Sequence, residues 1–122
     1  LYSGLLTGKF FLQDKPVPND TNRKLKSMHF KEPYFSINKK VLKNLEEIAS
    51  GYKKTLTQLV INWNFSQSGI ISSIVGSRKS AQLEENLGSM GWKLSGSDLE
   101  EIDRILTLRN EKIRQLKQEM NE

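Results

Sequence analysis

The residues with the clearest chemistry are Gly76-Ser77-Arg78-Lys79-Ser80, a short turn that carries two cations and two hydroxyls. Before it lies an apolar, β-branched run with Ile70, Ile71, Ile74 and Val75, the pattern of a buried strand in a parallel sheet. After it, Ser80 offers an N-cap, and Leu83 and Leu87 share one face of a following helix. Strand, Gly-containing turn and helix start together make an anion site of the phosphate kind. Amides without intrahelical partners, and the positive end of the helix dipole, point at whatever sits above the turn. The plainer alternative is a βα unit whose Arg78 and Lys79 are simply solvated. A second, weaker phosphate hint is Gly8-Lys9 after the apolar Leu5-Leu6 pair, which lacks the spacing of a P-loop.

Other chemistries find little support. His29 is the lone histidine and has no second ligand nearby in sequence, so a solvated side chain is expected and a metal site is not. The chain has no Cys, which excludes disulfides and thiolate metal sites and agrees with a cytoplasmic location. Nineteen Lys and Arg against 14 Asp and Glu give +5, a balance that suits phosphate-bearing partners. The basic residues are scattered, with a mild cluster over residues 23–43, and read as a solvated face rather than a nucleic-acid surface. No apolar run approaches the ~20 residues of a membrane span, so a membrane partner is not expected.

The elements that must position the turn follow from periodicity. Residues 36–51 predict a helix through Val41, Leu42, Leu45, Ile48 and Ala49, capped by Ser36 or Asn38 and stopped by Gly51. Thr55 predicts the cap of a second helix over residues 56–66, with Leu56, Leu59, Val60 and Trp63 on a core-facing stripe. Pro16, Pro18 and Pro33 make residues 11–35 a long loop, a lid or flap rather than a packed element. Ser97-Asp98-Leu99-Glu100 predicts a capping box for a long C-terminal helix. Its apolar heptad spacing, broken at Arg109, suits a helix docked on the rest better than a coiled coil. Its charged end past Leu108 is expected to fray or self-associate.

Ile74-Val75-Gly76-Ser77-Arg78 through Gln82-Leu83-Glu84-Glu85-Asn86-Leu87 resembles the last strand and following helix of the aldo-keto reductases. Leu1-Tyr2-Ser3-Gly4-Leu5-Leu6-Thr7-Gly8-Lys9-Phe10 is similar to the penultimate strand and loop of the same family, with Ser3 where Gly is common. The likeness implies the C-terminal portion of a (β/α)8 barrel, an α/β fold that is mostly helical here with about two short strands. It divides the single segment 1–122 into a strand and cofactor loop (1–35), a helix pair (36–68), a last strand and cofactor helix (69–90) and a C-terminal helix (95–120). It implies NADPH as cofactor, with Ser77 and Arg78 at the 2′-phosphate, Gln82, Glu85 and Asn86 around the adenine, and Gly76 as a further cofactor-binding residue. Leu1, Ser3 and Lys9 would lie along the pyrophosphate, and Arg23 falls near another cofactor contact of the family.

The family reduces aldehydes and ketones with an Asp, Tyr, Lys, His tetrad from the first half of its barrel. None of Tyr2, Tyr34 and Tyr52 has the tetrad's surroundings, so no catalytic residue is expected in this chain. The expectation is a fragment that is inactive alone, whose parent acts on a small carbonyl substrate. Gln82 stands where many members carry Arg, as in the branch with the potassium-channel β subunits, so a cofactor-sensing subunit is the alternative. Two strands cannot close a barrel, so self-association of the truncated chain is a further expectation.

Overall fold

The structure, a computed structural model, describes residues 1–10 and 27–121. It is built from four α-helices: α1 (Tyr34–Gly51), α2 (Leu56–Phe65), α3 (Ser80–Leu87) and α4 (Gly96–Asn121). Two 3-10 helices, Tyr2–Thr7 and Met28–Phe30, precede them. Helix α1 is central: it packs on α2, on α4 and on the second 3-10 turn, while α2 also touches α3 and the first 3-10 turn.

The periodic apolar residues of α1 and α2 form the core. Leu42, Leu45 and Ala49 of α1 meet Leu56 and Leu59 of α2, Leu94, and Ile102 and Ile105 of α4. Leu42, Ala49, Leu59 and Ile102 retain at most 2% exposure, and each such Leu or Ile contributes about 1.5–3 kcal/mol by leaving water. Thr55 caps α2 as its sequence predicts, in a full capping box with Gln58. That box is worth about 1 kcal/mol and holds the start of α2 in place.

Helix α1 begins two residues before the expected start, and neither expected cap acts as one. Ser36 instead bonds back to the Glu32 carboxylate through both its amide and its hydroxyl. Asn38 is buried on the inner face, where it donates to the His29 carbonyl at 3.1 Å and accepts from Arg109 Nε at 2.8 Å. The break that Arg109 makes in the apolar pattern of α4 is thus where that helix exchanges apolar packing for a polar tie to α1. The α4 cap is also shifted. Ser95 Oγ accepts from the Asp98 amide at 3.1 Å, and Asp98 in turn accepts from the hydroxyls of Ser95 and Tyr52. Ser95 rather than Ser97 therefore caps the helix, with its own amide donated to the Tyr52 hydroxyl in place of a capping box. These bonds hold the Asp98 carboxyl below the usual carboxylate range, with the Tyr52 bond the larger cause. Helix α4 continues past Leu108 to Asn121, but its outer half is mostly exposed.

The two expected strands are absent; the described residues contain no strand. The opening decapeptide winds into the 3-10 turn Tyr2–Thr7, closed by Gly8 at φ 72°. Residues 70–77 run without regular structure, and Ile71 and Ile74 are 99% and 101% exposed. The reason is physical. A buried parallel strand satisfies its amides and carbonyls, and covers both faces, only between neighbouring strands. The described chain offers none. Likewise Ser80 does not cap α3: Lys79 holds the cap position without a side-chain bond, and Ser80 is the first helical residue. Most of the expected lid, residues 11–26, lies outside the described residues. No helix among those described is long and apolar enough to cross a membrane.

Candidate functional site

The turn at residues 76–79 sits at the amino end of α3, and its shape is set locally. Gln82 Oε1 accepts from the Arg78 amide at 2.8 Å, so a side chain from the first helical turn closes back over the loop. Asn86, one turn further along, is buried and donates to Ser77 Oγ at 2.9 Å. Ser77, Arg78, Gln82 and Asn86 therefore form one bonded unit. Gly76 faces open space, with nothing within 4 Å of where a side chain would begin. The guanidinium of Arg78 has no hydrogen-bond or ion-pair partner among the described residues. A free cation, an open glycine and a helix amino end are the parts of an anion site.

This unit forms one wall of a cleft of about 1140 Å³. Leu1, Gly4, Thr7 and Lys9 line it from the opening 3-10 turn, and Glu46, Ser50, Lys54, Thr55, Leu56 and Thr57 from the α1–α2 junction. The cleft brings together Leu1, Lys9, Gly76, Ser77, Arg78, Gln82, Glu85 and Asn86, all singled out in the sequence. Lys9 curls over Gly4, its Cε and Nζ 2.6 and 2.9 Å from where a Gly4 side chain would start, and it lies 4.8 Å from the Phe10 ring centre. Gly4, at φ +92°, has a backbone that favours glycine, and its missing side chain leaves the room that Lys9 occupies. Ser3 belongs to the same 3-10 turn, and its side chain is outside the described set, as is the whole of Arg23.

Sequence reasoning passed over the floor of the cleft. Lys54 donates to the Gly88 carbonyl at 3.2 Å and lies 5.8 Å from the Trp92 ring centre; Thr55 donates to Glu85 Oε1 at 2.5 Å. The only local signal was their place at the start of α2, because what they touch lies some 30 residues downstream. Trp92 anchors this region: its indole N–H donates to the Gly88 carbonyl and its ring packs on Tyr52 at 5.1 Å.

His29 stands away from the cleft and is not simply solvated. Its ring is 3.3 Å from the Arg109 guanidinium and meets Tyr2 edge-on. Burial, then the Arg109 and Lys117 charges, push its pKa below the ordinary value. Among the described residues no group of three or more His, Asp or Glu could hold a metal ion.

Comparison with known proteins shows the family. The aldo/keto reductase family model matches residues 1–107. Aldo-keto reductase YhdN of Bacillus subtilis is 31% identical over 107 residues, covering 87% of this chain and 32% of its own. Probable aldo-keto reductase 1 of Glycine max is 31% identical over 100 residues, 81% of this chain and 28% of its own. Aldo-keto reductase yakc [NADP(+)] of Schizosaccharomyces pombe is 31% identical over 99 residues, again 81% and 28%. The chain thus spans less than a third of the length of these relatives. No solved structure matches. With the family pattern running through the opening turn, the helix pair and the cleft alike, the chain belongs to the aldo/keto reductase family.

Proposed function

We propose that this chain grips the adenosine end of NADPH in a reductase that converts aldehydes or ketones to alcohols. The observation that carries the reading is the cleft: eight residues from two distant segments, chosen for one cofactor, line one cavity. In this reading the free guanidinium of Arg78 and the Ser77 hydroxyl take the 2′-phosphate. Gln82, Glu85 and Asn86 surround the adenine, and Leu1, Ser3 and Lys9 follow the pyrophosphate, with Arg23 as a further contact. The fit is one of chemistry: an uncompensated cation and a helix amino end favour a dianion, and Gly76 lets a ligand approach the backbone. When bound, NADPH supplies the hydride that reduces the carbonyl carbon.

No catalytic residue is assigned here, and the chain alone is expected to be inactive. The family's proton donor and the groups that tune it belong to barrel segments that this chain does not match. A second reading, a subunit that senses the cofactor as the channel β subunits do, draws on Gln82, whose side chain here closes the turn rather than carrying charge.

The test is calorimetric binding of 2′,5′-ADP and 5′-ADP to the full chain. Arg78→Ala should weaken 2′,5′-ADP by roughly ten- to a hundredfold, the worth of charge-assisted hydrogen bonds, and leave 5′-ADP nearly unchanged. Equal losses for both nucleotides would remove Arg78 from the 2′-phosphate.

A further inference from the structure

Helix α3 carries four of the cleft's lining residues, Ala81, Gln82, Glu85 and Asn86, yet apolar packing does little to hold it. Leu83 and Leu87, its two leucines, are 52% and 55% exposed. What binds it to the rest of the molecule is a row of polar side chains on α2. Thr55, Gln58 and Asn62 are spaced three and four apart, so they share one helix face. Each reaches the α3 region: Thr55 to the Glu85 carboxylate, Gln58 Nε2 to the Glu85 carbonyl at 3.1 Å, and Asn62 Nδ2 to the Ser89 and Trp92 carbonyls at 2.9 and 3.0 Å.

Gln58 is the pivot of this row because its amide works in two directions. Its Oε1 accepts from the Thr55 amide at 3.2 Å, completing the α2 capping box, while its Nε2 donates across to α3. A second observation shows how closely it is seated. A side chain at Gly88 would begin 2.1 Å from Gln58 Nε2 and 3.2 Å from the Glu85 carbonyl, so Gln58 keeps this position only while residue 88 has none. Gln58 does not line the cleft, but Glu85 and Asn86 beside its acceptor do.

We infer that Gln58 is a positioning residue for the adenosine site: it registers α3 against the α2 cap and so sets where Glu85 and Asn86 stand. This rests on the cofactor reading above, and two variants test it separately from that reading. Gln58→Glu keeps an oxygen for the capping box and loses the donor to Glu85. Gln58→Met loses both and adds no charge. In the full chain, both should weaken 2′,5′-ADP about three- to tenfold, the worth of one hydrogen bond. Gln58→Glu should keep the wild-type melting temperature within a few degrees, because a Glu at this position still completes a capping box.

Wild-type affinity in both variants would overturn the inference. So would a loss confined to Gln58→Glu, which would mean charge and not position. If the wild-type chain binds no 2′,5′-ADP, the cofactor reading fails, and amide exchange then decides the positioning role alone. Exchange at residues 85–88 should quicken in both variants while the amides inside α2 stay protected in Gln58→Glu. Unchanged exchange at 85–88 would reject it.

Discussion

Two regions of this chain are comparably apolar in sequence and opposite in structure. In the α1–α2–α4 core, Leu42, Leu59 and Ile102 are almost wholly hidden from water. In residues 70–77, Ile71 and Ile74 are almost wholly open to it. The first region meets its own partners within the chain, through side chains on three helices that need no backbone pairing with neighbours. The second is patterned for a sheet, where each residue depends on strands to either side. The contrast teaches that apolar content fixes a demand for burial, and that topology decides whether the demand is met. It also explains why the cleft is held by hydrogen bonds: beside a segment that forms no strand, and with Leu83 and Leu87 half exposed, α3 has little apolar packing to rest on.

The largest test of this contrast is in the core. Leu59→Ala should cost about 2–5 kcal/mol in urea unfolding, since the removed side chain is fully packed. A loss under about 1 kcal/mol would mean that the helical core is not the stabilising half. A smaller effect is expected with pH. The folded pKa of His29 lies below its unfolded value, so the folded chain favours the neutral ring. Its contribution is fully present above about pH 6.5 and is lost as pH falls through the lower, folded value. Thermal melts should therefore drop on acidification, and His29→Gln should flatten that drop. An unchanged slope would show that neither burial nor the Arg109 and Lys117 charges act on this ring. The smallest effect belongs to the open segment: Ile74→Lys should shift unfolding free energy by no more than about 0.5 kcal/mol. A loss near that of Leu59→Ala would show that Ile74 is buried in solution, erasing the contrast.

Part of the candidate site was legible before the fold was known. Residue types and a turn leading into a helix marked Ser77 and Arg78, whereas Gln82, Glu85 and Asn86 entered only through the family resemblance. Lys54 and Gln58 were not legible as site residues, because their acceptors at Gly88 and Glu85 are reached only when α2 and α3 meet. The capping errors have the same origin. Ser36, Ser80 and Ser97 have the chemistry of caps, but Glu32, the Gln82–Arg78 bond and the Tyr52–Ser95–Asp98 cluster claimed those helix starts instead.

The sequence by itself determined the four helices, the Thr55 cap and the turn that leads into α3, since helical bonds and caps close within a few residues and need no distant partner. Only the tertiary structure decided that Leu1 and Lys9 share a cleft with Arg78, and that Arg109 ties α4 to Asn38. It alone decided, too, that the β-branched run at residues 70–75 stays open. A strand is completed by neighbours, and no stretch of chain carries its neighbours in its own pattern.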